Sequence, residues 1–152
     1  MKKVKLNLGA GKRIDKDAIN HDIWKHSKYI ECVYDLNIAP WAIWKDNQFQ
    51  EITAISVLEH LKLTLVESAN ELHRIVKPSG VVRIKYPTKT SETIHDDPTH
   101  RWFWSQRVLE FLDPDTEYGQ RYDFYPHKKW RIIDLRVIKN RSVVAELTPR
   151  GK

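Results

Sequence analysis

The chain has 152 residues, a mass of 18.0 kDa, 41% hydrophobic and 30% charged residues. That is one domain's length, too short for a second independent core and too apolar for a disordered chain. The net charge of +6 lies wholly on the tail, since residues 127–152 carry eight basic and two acidic side chains while the rest cancels, which excludes a uniformly basic protein. Cys32 is the only cysteine, so there is no disulfide framework and no cysteine-based zinc site. No apolar run approaches the ~20 residues of a membrane span. Met1–Lys5 alternates straight into a strand and lacks the apolar stretch of a signal peptide. These features predict a cytoplasmic protein without a membrane partner.

Val4–Leu8 alternates as a strand and ends at Gly9-Ala10-Gly11. Residues 12–18 are polar and short. Ile19–Ile23 is a weak strand, and Tyr29–Leu36 contains another around Cys32, Val33 and Tyr34. Residues 37–50 read as a loop interrupted by Trp41 and Trp44, and Ile52–Val57 as a β-branched strand covered on both faces. Leu65, Ala69, Leu72 and Val76 recur at the helical period, with Val66 and Ile75 beside them; Pro78 and Gly80 stop that helix. Val81–Tyr86 is a strand and Pro87–Trp104 a long loop. Ser105 can cap a short helix with Val108, Leu109, Phe111 and Leu112 inward. Ile132–Ile138 and Val143–Leu147 form an antiparallel hairpin around Lys139-Asn140. Alternating strands and helices predict an α/β parallel sheet with an antiparallel edge. The six tryptophans fall mostly outside the predicted core strands, as potential contact surface.

Gly9 and Gly11 let the chain turn tightly after the first strand and let a ligand approach the backbone. The dinucleotide fingerprint would need a third glycine where Ile14 stands, which disfavours a nicotinamide or flavin. Asp22 and Asp35 end the second and third strands, and Ser56-Val57-Leu58-Glu59-His60-Leu61 ends the fourth. Ligands of open parallel sheets bind at that edge, where an acid can accept hydrogen bonds from a ribose diol.

This series resembles the class I S-adenosylmethionine-dependent methyltransferases, in particular the small soluble type with a Val-Leu-Glu-His-Leu motif. Leu6–Gly11 resembles the glycine-rich motif, Ile19–Ile23 the second-strand acid segment, and Asp35-Leu36, Pro40-Trp41 and Asp46–Ile52 the approach to the fourth strand. Val57–Leu61 is followed by Glu71–Gly80, similar to the family's helix-to-fifth-strand junction. The matches span residues 4–87; the remainder matches loosely. The resemblance implies a Rossmann-like, doubly wound, mostly parallel seven-stranded sheet with an antiparallel C-terminal hairpin. It implies S-adenosylmethionine as cofactor. Gly9, Ala10 and Gly11 would approach its methionyl part and Asp22 with Ile23 its ribose. Asp35 and Leu36 would flank the adenine, and Ser56, Val57 and Leu58 would line the donor pocket.

Gly9 and Asp22 are 13 residues apart, against about 20 in the dinucleotide version of the unit. The first helix is therefore expected to be shortened or replaced by a loop, leaving one sheet face less covered and the pocket more open. The family's capping N-terminal helices are absent, so another segment or a second copy, as in a homodimer, would cover the site. Methyl transfer chiefly requires alignment, and a base where the acceptor is a hydroxyl or protonated amine. His60, Asp97 and His100 are the candidate catalytic residues, with Trp102, Phe103 and Trp104 walling the acceptor. The rival for that loop is a turn at Asp97-Pro98-Thr99 with core aromatics. His95, Asp97 and His100 have ligand chemistry, but loop spacing gives them no legible supporting contacts, and no metal is expected. The expected function is methyl transfer to an unidentified small-molecule or surface-exposed acceptor. Alternatives are a nucleic-acid methyltransferase using the basic tail and a non-catalytic subunit of the same fold. The basic hairpin is read first as blunting an exposed edge strand.

Overall fold

The computed structural model describes residues 3–152. Met1 and Lys2, the first residues of the alternating start, lie outside the described residues. Seven strands form one sheet: β1 (Lys5–Leu8), β2 (Ala18–Asp22), β3 (Cys32–Val33), β4 (Phe49–Ile55), β5 (Val76–Pro87), β6 (Trp130–Ile138) and β7 (Ser142–Pro149). Their order is β3-β2-β1-β4-β5-β7-β6. The first five are parallel, and β7 runs antiparallel to both β5 and β6. The winding reverses at β1, with β2 and β3 to one side and β4 and β5 to the other, which places a crevice at the carboxyl ends of β1 and β4.

One face of the sheet makes the core. Leu6 and Leu8, Ile52 and Ala54, Val82, Ile84 and Tyr86, and Val143, Ala145 and Leu147 alternate onto it, as the period-2 pattern requires. Helix α1 (Leu65–Ile75) covers this face with Leu65, Ala69, Leu72 and Ile75. Its start is fixed by a capping box between Thr64 and Glu67, which satisfies two otherwise orphaned amides. Glu71 and Arg74 then bind the loop before β4. Glu71 accepts from the Trp41 amide at 2.7 Å, and the Arg74 guanidinium donates to the carbonyls of Trp41 and Trp44, each at 2.9 Å. At the far end of α1 the Lys152 ammonium donates to the carbonyls of Arg74 and Val76, a cation on the negative end of the helix dipole. Among the described residues the only other α-helix is α2 (Glu117–Arg121). No helix of the described residues is long and apolar enough to cross a membrane.

The other face carries charge. Lys5 of β1, Glu51 of β4, Arg83 of β5 and Glu146 of β7 alternate in sign across it, with Lys5–Glu51 at 3.5 Å, Glu51–Arg83 at 2.6 Å and Arg83–Glu146 at 3.0 Å. This is the less covered face expected from the short first crossover. Residues 9–17 hold no helix at all. Two buried asparagines take its place. Asn7 donates to the Arg13 carbonyl at 2.6 Å and to Asn20 at 2.9 Å, and Asn20 donates to the Asp15 carbonyl at 2.8 Å. Backbone groups that a helix would pair with one another are paired with side chains.

Several boundaries differ from the sequence reading. Pro78 and Gly80 lie within β5, in an irregularity between the pairs Phe49–Val76 and Glu51–Val81; α1 ends before them, at Ile75. Proline needs no ladder amide at such a bulge. The strand at Ile52–Val57 starts earlier, at Phe49, and stops at Ile55 because Ser56 adopts φ +53°. Residues 108–112 form a 3₁₀ helix whose N-cap position is Arg107, without a side-chain cap; Ser105 lies two residues earlier and accepts from the Arg107 amide at 3.3 Å. The tryptophans are mostly core: Trp41, Trp44, Trp104 and Trp130 are buried. Trp41 and Trp44 pack edge to face in the segment between β3 and β4, where no helix forms, and only Trp24 is largely exposed. The β6–β7 turn has positive φ at both Lys139 and Asn140, as a tight hairpin's twist demands.

Candidate functional site

Residues at the carboxyl ends of β1, β2, β3 and β4 surround an open cleft of 240 Å³. Its lining includes Gly9, Asp22, Ile23, Asp35, Leu36, Ser56 and Val57, together with His21, Tyr34, Asn37, His60 and Leu61. Ala10, Gly11 and Leu58, also expected at the cofactor, do not line it. Ala10 is buried and its amide donates to the His21 carbonyl at 2.8 Å. Leu58 faces the hydrophobic core, and Gly11 supports the site through Asp22.

The glycine turn has a steric cause. Gly9 has φ +55°, and a Cβ there would stand 2.6 Å from Val57 Cγ2. Its amide donates to His21 Nδ1 at 3.3 Å, while His21 Nε2 meets the Tyr34 carbonyl at 2.9 Å. A carbonyl only accepts, so the proton is on Nε2 and the ring is neutral. Burial depresses the His21 pKa, consistent with that state. His21 thus joins the β1 turn to the segment after β3, a role with no sequence signal beyond its place beside Asp22.

Asp22 accepts from the Gly11 amide at 2.8 Å and the Ile23 amide at 2.7 Å, with His26 Nε2 at 3.4 Å. Burial pushes its carboxyl up, but the two amides and His26 outweigh that and hold it below the ordinary aspartate range. The carboxylate is therefore charged and oriented at the cleft wall. Asp35 accepts from the amide and the side chain of Asn37, both at 2.9 Å, and Asn37 accepts from the Lys62 amide at 2.6 Å. Ser56, with its left-handed backbone, lines the same cleft. Non-glycine strain of this kind concentrates at functional sites.

Beside the cleft, the loop after β5 folds back onto the 3₁₀ turn Leu58–His60. The Glu59 carbonyl accepts from the amides of Arg101 and Trp102, at 2.8 and 3.2 Å. This brings His60 together with Asp97 and His100, which are distant from it in sequence. The two imidazole rings lie 4.7 Å apart. His60 Nδ1 is 2.9 Å from Thr99 Oγ1, and the Thr99 hydroxyl donates to Asp97 Oδ1 at 2.6 Å. His100 Nδ1 is 2.7 Å from the Ile94 carbonyl, and its Nε2 is 3.6 Å from Asp97 Oδ2. Of the three, only His60 lines the cleft. Burial, and then His100, depress the His60 pKa. His95 stands apart, against the Phe103 ring.

From sequence, Glu59 is expected to orient His60 or bond the backbone and not to be catalytic. It is 1% exposed, and neither carboxylate oxygen has a hydrogen-bond partner. Burial pushes its carboxyl up to about 7, against the weaker pull of its own amide and of His100.

No protein-family profile matches the sequence, and no curated protein is similar to it in sequence. Solved structures are similar in fold. An S-adenosylmethionine-dependent methyltransferase from Archaeoglobus fulgidus superposes with a TM-score of 0.64 at 15% identity, covering 94% of this chain and 84% of that one. A Thermotoga maritima methyltransferase, a possible histamine N-methyltransferase, gives 0.64 at 12% identity, covering 97% and 82%. The chain has the class I methyltransferase fold. That fold also carries other chemistry, since a (4+2)-cyclase matches with a TM-score of 0.63 at 12% identity over 97% of this chain and 74% of its own. Activity in this methyltransferase-fold protein is therefore argued from the site.

A second, larger hollow of 710 Å³ lies between the start of α1, the loop after β5 and α2. Trp102, Trp104, Phe111, Tyr118 and Tyr122 line it, with Lys89 and Arg107. Trp102 Nε1 donates to the Leu61 carbonyl at 2.9 Å, so one residue of the cleft wall is tied to a residue of the hollow.

Proposed function

We propose that the chain is an S-adenosylmethionine-dependent methyltransferase acting on a small-molecule acceptor. The observation carrying this reading is the convergence of a glycine turn, two carboxylates on neighbouring strand ends and a strained serine on one cleft at the reversal of strand order. The chemistry of that set fits the cofactor. Asp22 is charged and fixed for ribose hydroxyls, Asp35 and Leu36 flank a place for the adenine, and Gly9 keeps the turn against Val57 free of a side chain. When bound, the cofactor supplies a methyl on a sulfonium, whose carbon–sulfur bond breaks with its electron pair going to sulfur as the acceptor's lone pair bonds the methyl carbon.

The protein's part is alignment, which alone accounts for a large share of such a rate. The aromatic hollow suits a flat, apolar acceptor, and Lys89 at its wall favours one that bears an acidic group, the neighbouring Arg107 being paired with Glu110. His60 stands at the cleft on the side of the loop that walls the hollow. Its Nε2 can take a proton or hold a cation. Of the eight basic residues of the tail, Lys129, Arg136 and Arg150 are engaged by Asp123, Asp134 and Asp113 with Asp115, which leaves less of that charge for a nucleic-acid substrate.

Calorimetric titration with S-adenosylmethionine and its demethylated product tests the reading. Saturable binding in the micromolar range is expected, followed by transfer of labelled methyl to an aromatic acid acceptor. No binding of either compound would sink the proposal. Binding without transfer to any acceptor would favour a supporting subunit.

A further inference from the structure

We propose that Glu59, His60 and His100 bind a divalent transition-metal ion, of the zinc or cobalt type, at the edge of the cleft. One ligand atom from each lies within 4.8 Å of the others. The Ile94 carbonyl can only accept, so His100 donates through Nδ1, and the neutral ring keeps a lone pair on Nε2. The Thr99 hydroxyl has one proton and gives it to Asp97, so toward His60 it accepts. His60 therefore also donates through Nδ1 and keeps its lone pair on Nε2. That atom lies 3.9 Å from Glu59 Oε1.

The cluster thus gathers two imidazole lone pairs and a buried carboxylate that receives no hydrogen bond. Arg13, the cation in its field, spends its guanidinium on the Ile55 carbonyl at 2.8 Å. A buried carboxylate without a hydrogen-bond partner is unfavourable unless a cation or proton meets it. One proton shared between a ring and the carboxylate could pair two of these groups and would leave the third without a partner. A divalent ion serves them all. Two imidazoles and a carboxylate are a ligand set for zinc and related ions, with coordination positions left for other ligands. The outer contacts are those such sites use: each ring is held through Nδ1, one by a carbonyl and one by a hydroxyl backed by Asp97. The sequence-level trio of His95, Asp97 and His100 shares only His100 with this set.

The inference stands on the cluster's geometry and is independent of the methyl-transfer reading. The test is titration of chelator-treated, full-length protein with cobalt(II) chloride and zinc chloride, without the methyl donor. One ion per chain is expected, with visible d–d absorption for cobalt. Glu59→Gln, which preserves shape, and His100→Ala should each weaken binding by roughly 10-fold or more, and Thr99→Ala should weaken it through His60. Far-UV circular dichroism checks that each variant is folded. Absence of saturable binding, or equal binding by wild type and both ligand variants, would overturn the proposal and assign the cluster a shared proton. Titration of the demethylated cofactor product in the presence of chelator separates the two readings, since either can fail with the other intact.

Discussion

Replacing Asp22 by asparagine separates a structural role from a ligand-binding one. The carboxylate accepts from the Gly11 amide at 2.8 Å and the Ile23 amide at 2.7 Å. Asparagine keeps one acceptor and turns an NH₂ toward the other amide. A hydrogen bond to a charged group is worth about 1.5–3 kcal/mol. The Asp22 side chain is 16% exposed, so the lower part of that range applies. A loss of about 1.5–2 kcal/mol corresponds to a melting temperature lower by about 3–8 °C in a chain of this size. Thermal unfolding without ligand reads this directly. The pH dependence has a defined sign. Because the folded carboxyl is held below its ordinary value, its contribution is present above about pH 4 and lost as pH falls through the folded value. The gap between wild type and variant should narrow there. In calorimetry with the demethylated cofactor product, loss of a ribose contact should weaken binding about 10- to 150-fold. Unchanged melting would refute the structural role, and unchanged affinity would refute the ribose role.

Two buried histidines make stability fall in mild acid. His21 and His73 each place Nε2 2.9 Å from a carbonyl, and burial lowers both pKa values from 6.5. The unfolded chain then binds protons that the folded chain refuses, so stability present above pH 6.5 declines below it, by at most ~1.4 kcal/mol per pH unit for each proton; a melting temperature flat between pH 7.5 and 5.5 would contradict this. Gly9→Ala should cost ~1–2 kcal/mol from the left-handed backbone alone, and more from the 2.6 Å approach to Val57. Adding Val57→Ala should recover the steric part, and wild-type melting of the single variant would show that the turn relaxes freely.

The sheet was legible because its signals are local. Period-2 alternation marked the strands, the 3.6 period marked α1, and Thr64 with Glu67 also carried a capping signature that the sequence reading passed over. The acids at strand ends were legible because a parallel sheet sends those ends to one edge. What stayed hidden depends on contacts between distant residues. Nothing local to Asn7 and Asn20 announces that their amides replace a helix. The burial of the motif residue Glu59 depends on the loop carrying His100, whose Arg101 and Trp102 amides bond the Glu59 carbonyl. Trp41 and Trp44 lie in a loop, as read, but their burial in the core has no periodic pattern to announce it.

The missing first helix changes how the site can work. A glycine turn that opens a helix presents free amides and the positive end of a dipole to an anionic ligand. Here the Gly9 amide is bonded to His21 and the Gly11 amide to Asp22. The turn is held by the protein's own side chains, and no dipole follows it. Positive charge on this segment comes instead from Lys12, Arg13 and Lys16. The uncovered face follows from the same economy of length. With no helices to pack there, cross-strand charges keep it soluble, and exposed pairs of this kind contribute at most about 1 kcal/mol each. Stability is therefore concentrated on the α1 face, while the cleft depends on a few buried polar contacts: Asn7 with Asn20, His21 with Tyr34, and Asp22 with the two amides. Those contacts occupy the positions that a longer chain would give to a helix, and they make the residues of the β1–β2 segment, more than the hydrophobic core, the determinants of the cleft's shape.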